Sequence, residues 1–322
     1  MILQIVFLVV GLLLILWGAN ALVNGSASIA KKFNISNLVI GLTIVAFGTS
    51  MPELVVSLFA SVNGNTDIAI GNIVGSNIFN TLVIVGVSAL CLPMHIGRGM
   101  ITKEIPLALL AAGVLAVCAC DKLFGGTANI LTRGDGIILL CFFIIFMRYV
   151  FASAHNIPAE EANADDGSVK LMGMGKSSLF IVLGLAGLIG GGKLFVMGAS
   201  ELAIAMGVSE SIVGLTIVAA GTSLPELATS IVAAFKKNTG IAIGNAVGSN
   251  IFNIFFILGA SATITPLPLG GITYFDMATL VFSGLLLWLV ATFFGNRTIT
   301  RYEGAAMVIC YIAYVAILIY QQ

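Results

Sequence analysis

Long apolar runs recur along the whole chain, and they constrain its fold more than any other feature. A helical run of about 20 apolar residues crosses the roughly 30 Å hydrocarbon core of a bilayer. Only 9% of the 322 residues are charged, whereas soluble domains carry about 25%. Too few charged residues remain to cover a water-exposed surface. The sequence therefore predicts an all-α polytopic protein that is embedded in a lipid bilayer.

Hydropathy predicts ten transmembrane helices, five on each side of a polar stretch. In the first half they are expected near 2–23, 38–61, 67–91, 102–120 and 134–152. In the second half they are expected near 178–204, 211–235, 241–264, 273–294 and 303–320. Residues 153–177 are expected to form the linker. Its acidic residues lack the spacing of an EF-hand loop, so a solvated linker is expected rather than a regulatory calcium site.

The distribution of lysine and arginine predicts the orientation of the chain. Eleven of these residues lie on the face that holds the loops after spans 1, 3, 5, 7 and 9, and two lie on the opposite face. Loops rich in lysine and arginine stay in the cytoplasm. We therefore expect an integral protein of the plasma (inner) membrane, with a cytoplasmic linker 153–177 and both termini outside.

Two segments of the first half recur in the second half. Residues 41–57 match 214–230 at 13 of 17 positions, and residues 71–80 match 244–253 at nine of ten. Both pairs share one offset of 173 residues. Because each half has an odd number of spans, the second half must cross the membrane in the opposite sense. The sequence thus predicts two inverted five-helix repeats, 1–152 and 178–322, with broken helices meeting at the midplane as in many transporters.

Each first motif, GTSMPE or GTSLPE, contains a proline that interrupts a membrane helix. Pro52 has no N–H to offer the carbonyl of Gly48, and Pro225 has none for Gly221. A freed carbonyl in hydrocarbon needs another partner. The proline alone is compatible both with a simple kink repaired by neighbouring hydroxyl groups and with a break that binds an ion.

The glutamates of these motifs favour the second interpretation. A carboxylate in the middle of a membrane costs about 2.5–3.5 kcal/mol on insertion scales and marks a functional site by default. Glu53 and Glu226 each follow a break and a Thr–Ser pair. Carboxylate, carbonyl and hydroxyl oxygens suit Ca²⁺ or Na⁺ and disfavour zinc, copper or iron. Two facing glutamates would balance one divalent cation, although a protonated glutamate hydrogen-bonded across helices is the structural alternative at each position.

The second motif, GNxVGSNIFN, adds polar groups on one helix face. Ser76 and Asn80 are four residues apart, so both lie on the same side of a helix. Ser249 and Asn253 repeat this spacing in the second half. Asn72 and Asn245 lie one turn further back. The glycines of each GxxxG allow close approach of a second helix and are usually a packing feature.

GTSxPE followed by GSNIFN, present twice, resembles the cation/calcium exchanger superfamily, and within it the prokaryotic type of the sodium/calcium exchanger family. The resemblance covers the whole chain and implies a transporter that functions as a monomer. It implies that Glu53 and Glu226 are central carboxylates shared by calcium and sodium. It further implies metal ligands as follows: backbone carbonyls of Thr49 and Thr222 for calcium; Ala46, Ala219, Ser50, Ser223, Ser76 and Ser249 for flanking sodium sites; and Asn80 and Asn253 beside the central site.

Departures from related sequences favour sodium coupling. Proton-coupled calcium exchangers resemble this layout but have an acidic residue in a GNxxE motif, and potassium-dependent ones have GTSxPD in the second repeat. This chain has neither. We expect a sodium/calcium antiporter that works by alternating access, electrogenic if its sodium-loaded state is positively charged, in which spans 1 and 6 slide across the other helices. A proton/calcium or other cation/calcium exchanger is the alternative.

Other classes of function fit the sequence less well. The formal net charge of zero and the lack of a basic stripe predict no nucleic-acid partner. An intramembrane protease normally uses two aspartates in distinct motifs and needs no inverted duplication. A cation channel could use the same oxygen ligands and stays open as an alternative. We therefore expect no enzymatic activity and no cofactor, with Ca²⁺ and Na⁺ as the transported ions.

Overall fold

The computed structural model describes residues 2–154, 171–206 and 219–320, and nearly all of them form helices. The first half contains α1 (Ile2–Phe33), α2 (Asn37–Thr49), α3 (Met51–Val62), α4 (Thr66–Cys91), α5 (Met100–Ala119) and α6 (Arg133–Ser153). The second half contains α7 (Met174–Ala205), α8 (Ala219–Gly221), α9 (Leu224–Phe235), α10 (Thr239–Ile264), α11 (Tyr274–Phe293) and α12 (Arg301–Tyr320).

The architecture confirms an all-α membrane protein. Among the described residues, eight helices are long and apolar enough to span a bilayer, and α2 with α3 forms a ninth, bent span. The expected seventh span, near 211–235, falls partly on residues that are not described. Its described part contains α8 and α9, and α9 corresponds residue for residue to α3 at the offset of 173. The described residues therefore contain up to nine candidate spans and this shorter helix, and the count of ten stays a prediction.

The two motif prolines begin new helices. Pro52 and Pro225 occupy the first turn of α3 and of α9, where no backbone N–H is required. The backbone leaves helical geometry at Ser50, with ψ of 7°, and again at Ser223, with ψ of 6°. The axes of α2 and α3 differ by 48°. Each break thus exposes two helix ends inside the protein, as the sequence predicted.

Helices α1 and α7 pack closely against each other along a line of glycines. A Cβ atom at Gly18 would lie 2.7 Å from the carbonyl oxygen of Gly184, and one at Gly191 would lie 2.8 Å from that of Gly11. These two contacts are equivalent at the offset of 173. Residue numbers rise along α1 as they fall along α7, so the two helices are antiparallel. Antiparallel packing of equivalent helices is what a two-fold axis in the membrane plane produces.

The interior is formed by α4 and α10. In their most apolar windows, 78% of α4 and 94% of α10 are buried, whereas the other candidate spans reach at most 39%. Two short antiparallel ribbons join loops of opposite halves. β1 (Met94–His95) pairs with β4 (Thr298–Ile299), and β2 (Ile130–Leu131) pairs with β3 (Leu267–Pro268). The second motif of each half therefore lies at the centre of the protein.

The start of the second half differs from the sequence expectation. Helix α7 begins at Met174, inside the range 153–177 that is expected for the linker. Most of the linker, residues 155–170, lies outside the described residues.

Candidate ion-binding site

The two motif glutamates lie in the first turns of α3 and α9, and both are fully buried. Glu53 and Glu226 have no exposed surface. Ser50 Oγ donates a hydrogen bond of 3.0 Å to Oε1 of Glu226, and Ser223 Oγ donates one of 3.1 Å to Oε1 of Glu53. Each glutamate is thus held by the serine of the opposite half. This reciprocal contact brings the two helix breaks together.

A second reciprocal set of hydrogen bonds involves Asn72 and Asn245. The sequence placed each of them on the same helix face as the second-motif serine of its own half but did not assign them as ligands. Thr49 Oγ1 donates to Asn245 Oδ1 over 3.0 Å, and Thr222 Oγ1 donates to Asn72 Oδ1 over 3.4 Å. Asn245 Nδ2 in turn donates to the backbone carbonyl of Glu226 over 3.1 Å. These asparagines therefore tie α4 and α10 to the breaks of the other half.

Of the remaining predicted ligands, Ser76 contacts this centre through Ser223. Ser76 is buried, and its Oγ lies 3.1 Å from Ser223 Oγ. Because the Ser223 proton goes to Glu53, the Ser76 hydroxyl is the donor in this contact. Ser249 is fully buried, and so is Ala46 on α2. Ala219 begins α8, the short helix that precedes the second break.

Asn80 and Asn253 lie where α4 and α10 change their winding. Asn80 begins a π-helical segment, Asn80–Ile84, and Asn253 lies within another, Phe252–Leu258. Both side chains are fully buried. Inserted π turns are frequent at functional sites because they redirect side chains from the regular helical pattern.

Several oxygens at this centre are buried without a hydrogen-bond partner within the described ranges. They are Glu53 Oε2, Glu226 Oε2, Asn80 Oδ1, Asn253 Oδ1 and Ser249 Oγ. An unpaired buried acceptor costs free energy, so a native protein normally supplies it with a partner. The first four form two pairs that are equivalent at the offset of 173. Two carboxylate and two amide oxygens are hard ligands that suit Ca²⁺ or Na⁺.

The geometry also bears on the structural alternative of a protonated glutamate hydrogen-bonded across helices. One oxygen of each carboxylate accepts from a serine, and the other is left without a partner. No hydrogen bond joins the two glutamates in the part of the chain that the structure describes. A hydrogen bond across the helices therefore accounts for one oxygen of each glutamate and leaves the other oxygen without a partner.

Comparisons with known proteins cover nearly the whole chain. The family described as sodium/calcium exchanger protein matches residues 3–152 and 176–320. Sodium/calcium exchanger MaX1 of Methanosarcina acetivorans is 32% identical, covering 97% of each chain. Inner membrane protein YrbG of Escherichia coli is 38% identical, covering 85% of this chain and 84% of its own. The solved structure of the sodium-calcium exchanger NCX_Mj, soaked with Na⁺ and Ca²⁺, superposes with a TM-score of 0.83 at 34% identity, covering 98% of both chains.

Proposed function

The chain belongs to the sodium/calcium exchanger protein family, and from that premise we propose that it exchanges Na⁺ for Ca²⁺ by alternating access. This is a family of integral membrane exchangers, so the chain is a transporter. The observation that carries the proposal is the reciprocal placing of two fully buried glutamates, each with one unpaired oxygen. A buried pair of carboxylates needs a compensating charge, and one Ca²⁺ supplies it.

The two ions compete for this pair of charges. One Ca²⁺ neutralises Glu53 and Glu226, whereas several Na⁺ spread over neighbouring oxygens match or exceed the same charge. If the sodium-loaded site carries a net positive charge, transport is electrogenic. The membrane potential then contributes about 2.3 kcal/mol per charge per 100 mV, which favours calcium export from a cell with a negative interior.

The ligands that we propose for calcium include the two glutamates. They are the carboxylates of Glu53 and Glu226 with the backbone carbonyls of Thr49 and Thr222, and Asn80 and Asn253 lie beside them. The flanking sodium sites would use Ser50, Ser223, Ser76 and Ser249 with the carbonyls of Ala46 and Ala219. The hydrogen bonds of Ser50 and Ser223 to the glutamates support this assignment, because they place hydroxyl oxygens next to both charges.

Alternating access would be carried by the paired helices α1 and α7. Their glycine contacts hold them together as one unit, and Gly25 and Gly198 extend this line towards its ends. We propose that this unit moves across the rest of the protein and opens the site to one side at a time. The repeats 1–152 and 178–322, with a cytoplasmic linker at 153–177 and outside termini, would then give two equivalent states of opposite orientation.

Equilibrium binding tests the proposed site directly. Radioactive calcium bound to the purified protein should be displaced by NaCl, and choline chloride at the same ionic strength should displace little. Displacement that depends on pH rather than on sodium would support the alternative of a proton/calcium exchanger. Calcium binding that neither sodium nor protons reduce would overturn the proposal of a shared site.

A further inference from the structure

Four asparagines form hydrogen bonds across the two halves, and two of them, Asn80 and Asn253, are candidate ligands. Asn80 Nδ2 donates to Asn250 Oδ1 over 3.1 Å, and Asn253 Nδ2 donates to Asn77 Oδ1 over 3.0 Å. The two contacts are equivalent at the offset of 173. We propose that Asn77, Asn250 and Thr81 are positioning residues that fix the amide orientation of Asn80 and Asn253, so that both side-chain carbonyls face the cations. This rests on the proposed function, which makes those carbonyls ligands.

The orientation of an asparagine amide determines whether its oxygen or its NH₂ group faces a bound cation. One end of the amide carries an oxygen that accepts, and the other carries an NH₂ group that only donates. The two ends are similar in shape, so the surrounding hydrogen bonds determine which one faces the site. A carbonyl oxygen attracts a cation, whereas an NH₂ group in the same place repels it.

Thr81 determines the orientation at Asn80. Its hydroxyl donates its single proton to the backbone carbonyl of Asn77 over 2.9 Å. The Thr81 oxygen can therefore only accept, and it receives the Nδ2 group of Asn250 over 2.7 Å. Since that places the oxygen of Asn250 towards Asn80, Asn80 must present its nitrogen to Asn250. Asn80 Oδ1 is left buried and without a partner.

A backbone carbonyl determines the orientation at Asn253. Asn77 Nδ2 donates to the main-chain oxygen of Asn250 over 3.1 Å, and a main-chain oxygen can only accept. Asn77 must therefore turn its own oxygen towards Asn253, which presents its nitrogen in return. Asn253 Oδ1 is also left buried and without a partner.

The two halves thus reach the same result by different means. At the offset of 173, the counterpart of Thr81 is Ile254, which has no hydroxyl group. Thr81 is consequently needed for Asn80 alone, while the anchor of Asn253 is the peptide backbone. This departure from symmetry makes Thr81 a position where the proposal can be tested without touching a proposed ligand.

The first test compares three single variants in proteoliposomes by the calcium concentration that gives half-maximal sodium-driven uptake. Thr81→Val keeps the shape of the side chain but removes the acceptor, so Asn250 and Asn80 are free to turn. We expect about a tenfold increase in half-saturating calcium. Thr81→Ser keeps the hydroxyl and should restore a value within about twofold of the wild type. Ser283→Ala should change nothing. Ser283 lines a small cavity together with Thr81 and Asn250, but within the described residues its hydroxyl donates only to Leu280 of its own helix.

A second test separates orientation from a general loosening of the interior. Asn80→Asp presents an oxygen at both ends, so there is no orientation left for Thr81 to fix. In that background, Thr81→Val should add no further increase in half-saturating calcium. An equal increase in both backgrounds would mean a merely structural role and would overturn the proposal, as would an unchanged value for folded Thr81→Val.

The wild type is measured in the same preparation, so that a failure of the proposed exchange can be told apart from a failure of the proposed positioning role. If the wild type takes up no calcium in response to sodium, the proposed function is wrong. If the wild type does take up calcium and the Thr81 variants have the same half-saturating calcium concentration as the wild type, only the positioning role is wrong. Should Thr81→Val not fold, Thr81→Ala removes the same hydroxyl with a smaller side chain and carries the same expectations.

Discussion

Ser50 donates a hydrogen bond to Glu226, 176 residues further along the chain, over 3.0 Å. The equivalent bond joins Ser223 to Glu53. Each half of the protein therefore supplies the charge of one carboxylate and the hydroxyl that holds the other. The reciprocal contacts form only when both halves are folded together.

The first prediction concerns the two charges. Glu53→Gln and Glu226→Gln should each abolish calcium uptake, because a single charge leaves a buried divalent ion uncompensated. The loss of one partner of a buried ion pair costs about 3–5 kcal/mol, which corresponds to about a hundredfold or more in affinity. Calcium uptake into proteoliposomes measures the effect. Glu201→Gln is the matched control, since this glutamate is exposed on α7 and bonds Gln4; near-normal uptake in either of the first two variants would place the ion elsewhere.

The serines that hold the glutamates should matter unequally. Ser223→Ala removes a hydroxyl that contacts both Glu53 and Ser76, whereas Ser50→Ala removes a contact with Glu226. Hydrogen bonds to charged groups contribute about 1.5–3 kcal/mol. We expect both variants to raise the sodium concentration that half-displaces bound calcium by about tenfold or more, with the larger rise for Ser223→Ala. Equal and small changes would argue against serine ligands for sodium.

The packing of α1 on α7 should be intolerant of a single added methyl group. A Cβ atom at Gly18 would lie 2.7 Å from the oxygen of Gly184, so Gly18→Ala must push the helices apart. Overpacking of this kind costs about 1–3 kcal/mol. Thermal unfolding of the detergent-solubilised protein should therefore occur several degrees lower. Gly190→Ala is the control on α7, because no atom lies within 4 Å of its added Cβ; equal melting temperatures for the two variants would contradict the close contact.

Lys236, directly after α9, anchors α1 in this conformation. Its Nζ donates to Asn24 Oδ1 over 2.5 Å and to the carbonyl of Asn20 over 3.5 Å. Lys236→Gln should release this part of α1, which is measured as faster hydrogen–deuterium exchange of peptides covering residues 18–30. Lys237→Gln, an exposed neighbour, should leave the exchange unchanged. Protection that survives in Lys236→Gln would rule out the anchor.

The same contact has a defined pH dependence. Burial lowers the pKa of Lys236 from its ordinary value, so the charge is lost as pH rises, and earlier than from an exposed lysine. Alkaline buffer should therefore weaken the anchor in the wild type. The exchange of the Lys236→Gln variant should lack this additional step, apart from the ordinary pH dependence of amide exchange.

Much of the site could be predicted from the sequence because it depends on local chemistry and on duplication. Pro52 and Pro225 each lack the N–H that a continuous helix would need, and a glutamate in an apolar segment needs a compensating partner. The shared offset of 173 residues placed Glu53 and Glu226 in equivalent positions. Each of these inferences needs only the covalent sequence and the properties of a bilayer.

Other parts depend on contacts that the sequence does not specify. Asn77 and Asn250 read as ordinary polar residues of a packing helix, and their role follows from the hydrogen bonds that they receive across the two halves. The contacts of Asn72 and Asn245 with the opposite half also depend on the folded structure. In the sequence, the only sign of a role was that each lies on the same helix face as the predicted ligands of its own half. The start of α7 at Met174 was missed because the polar residues of the linker continue into the first turn of that helix.

Under the proposed function, one protein couples calcium movement to sodium movement, and calcium flux into proteoliposomes measures that coupling directly. Vesicles loaded with NaCl and diluted into sodium-free medium should take up radioactive calcium, and Glu53→Gln vesicles should not. Dissipating the sodium gradient with an ionophore should stop the uptake. Calcium uptake that continues at the same rate without a sodium gradient would contradict the account.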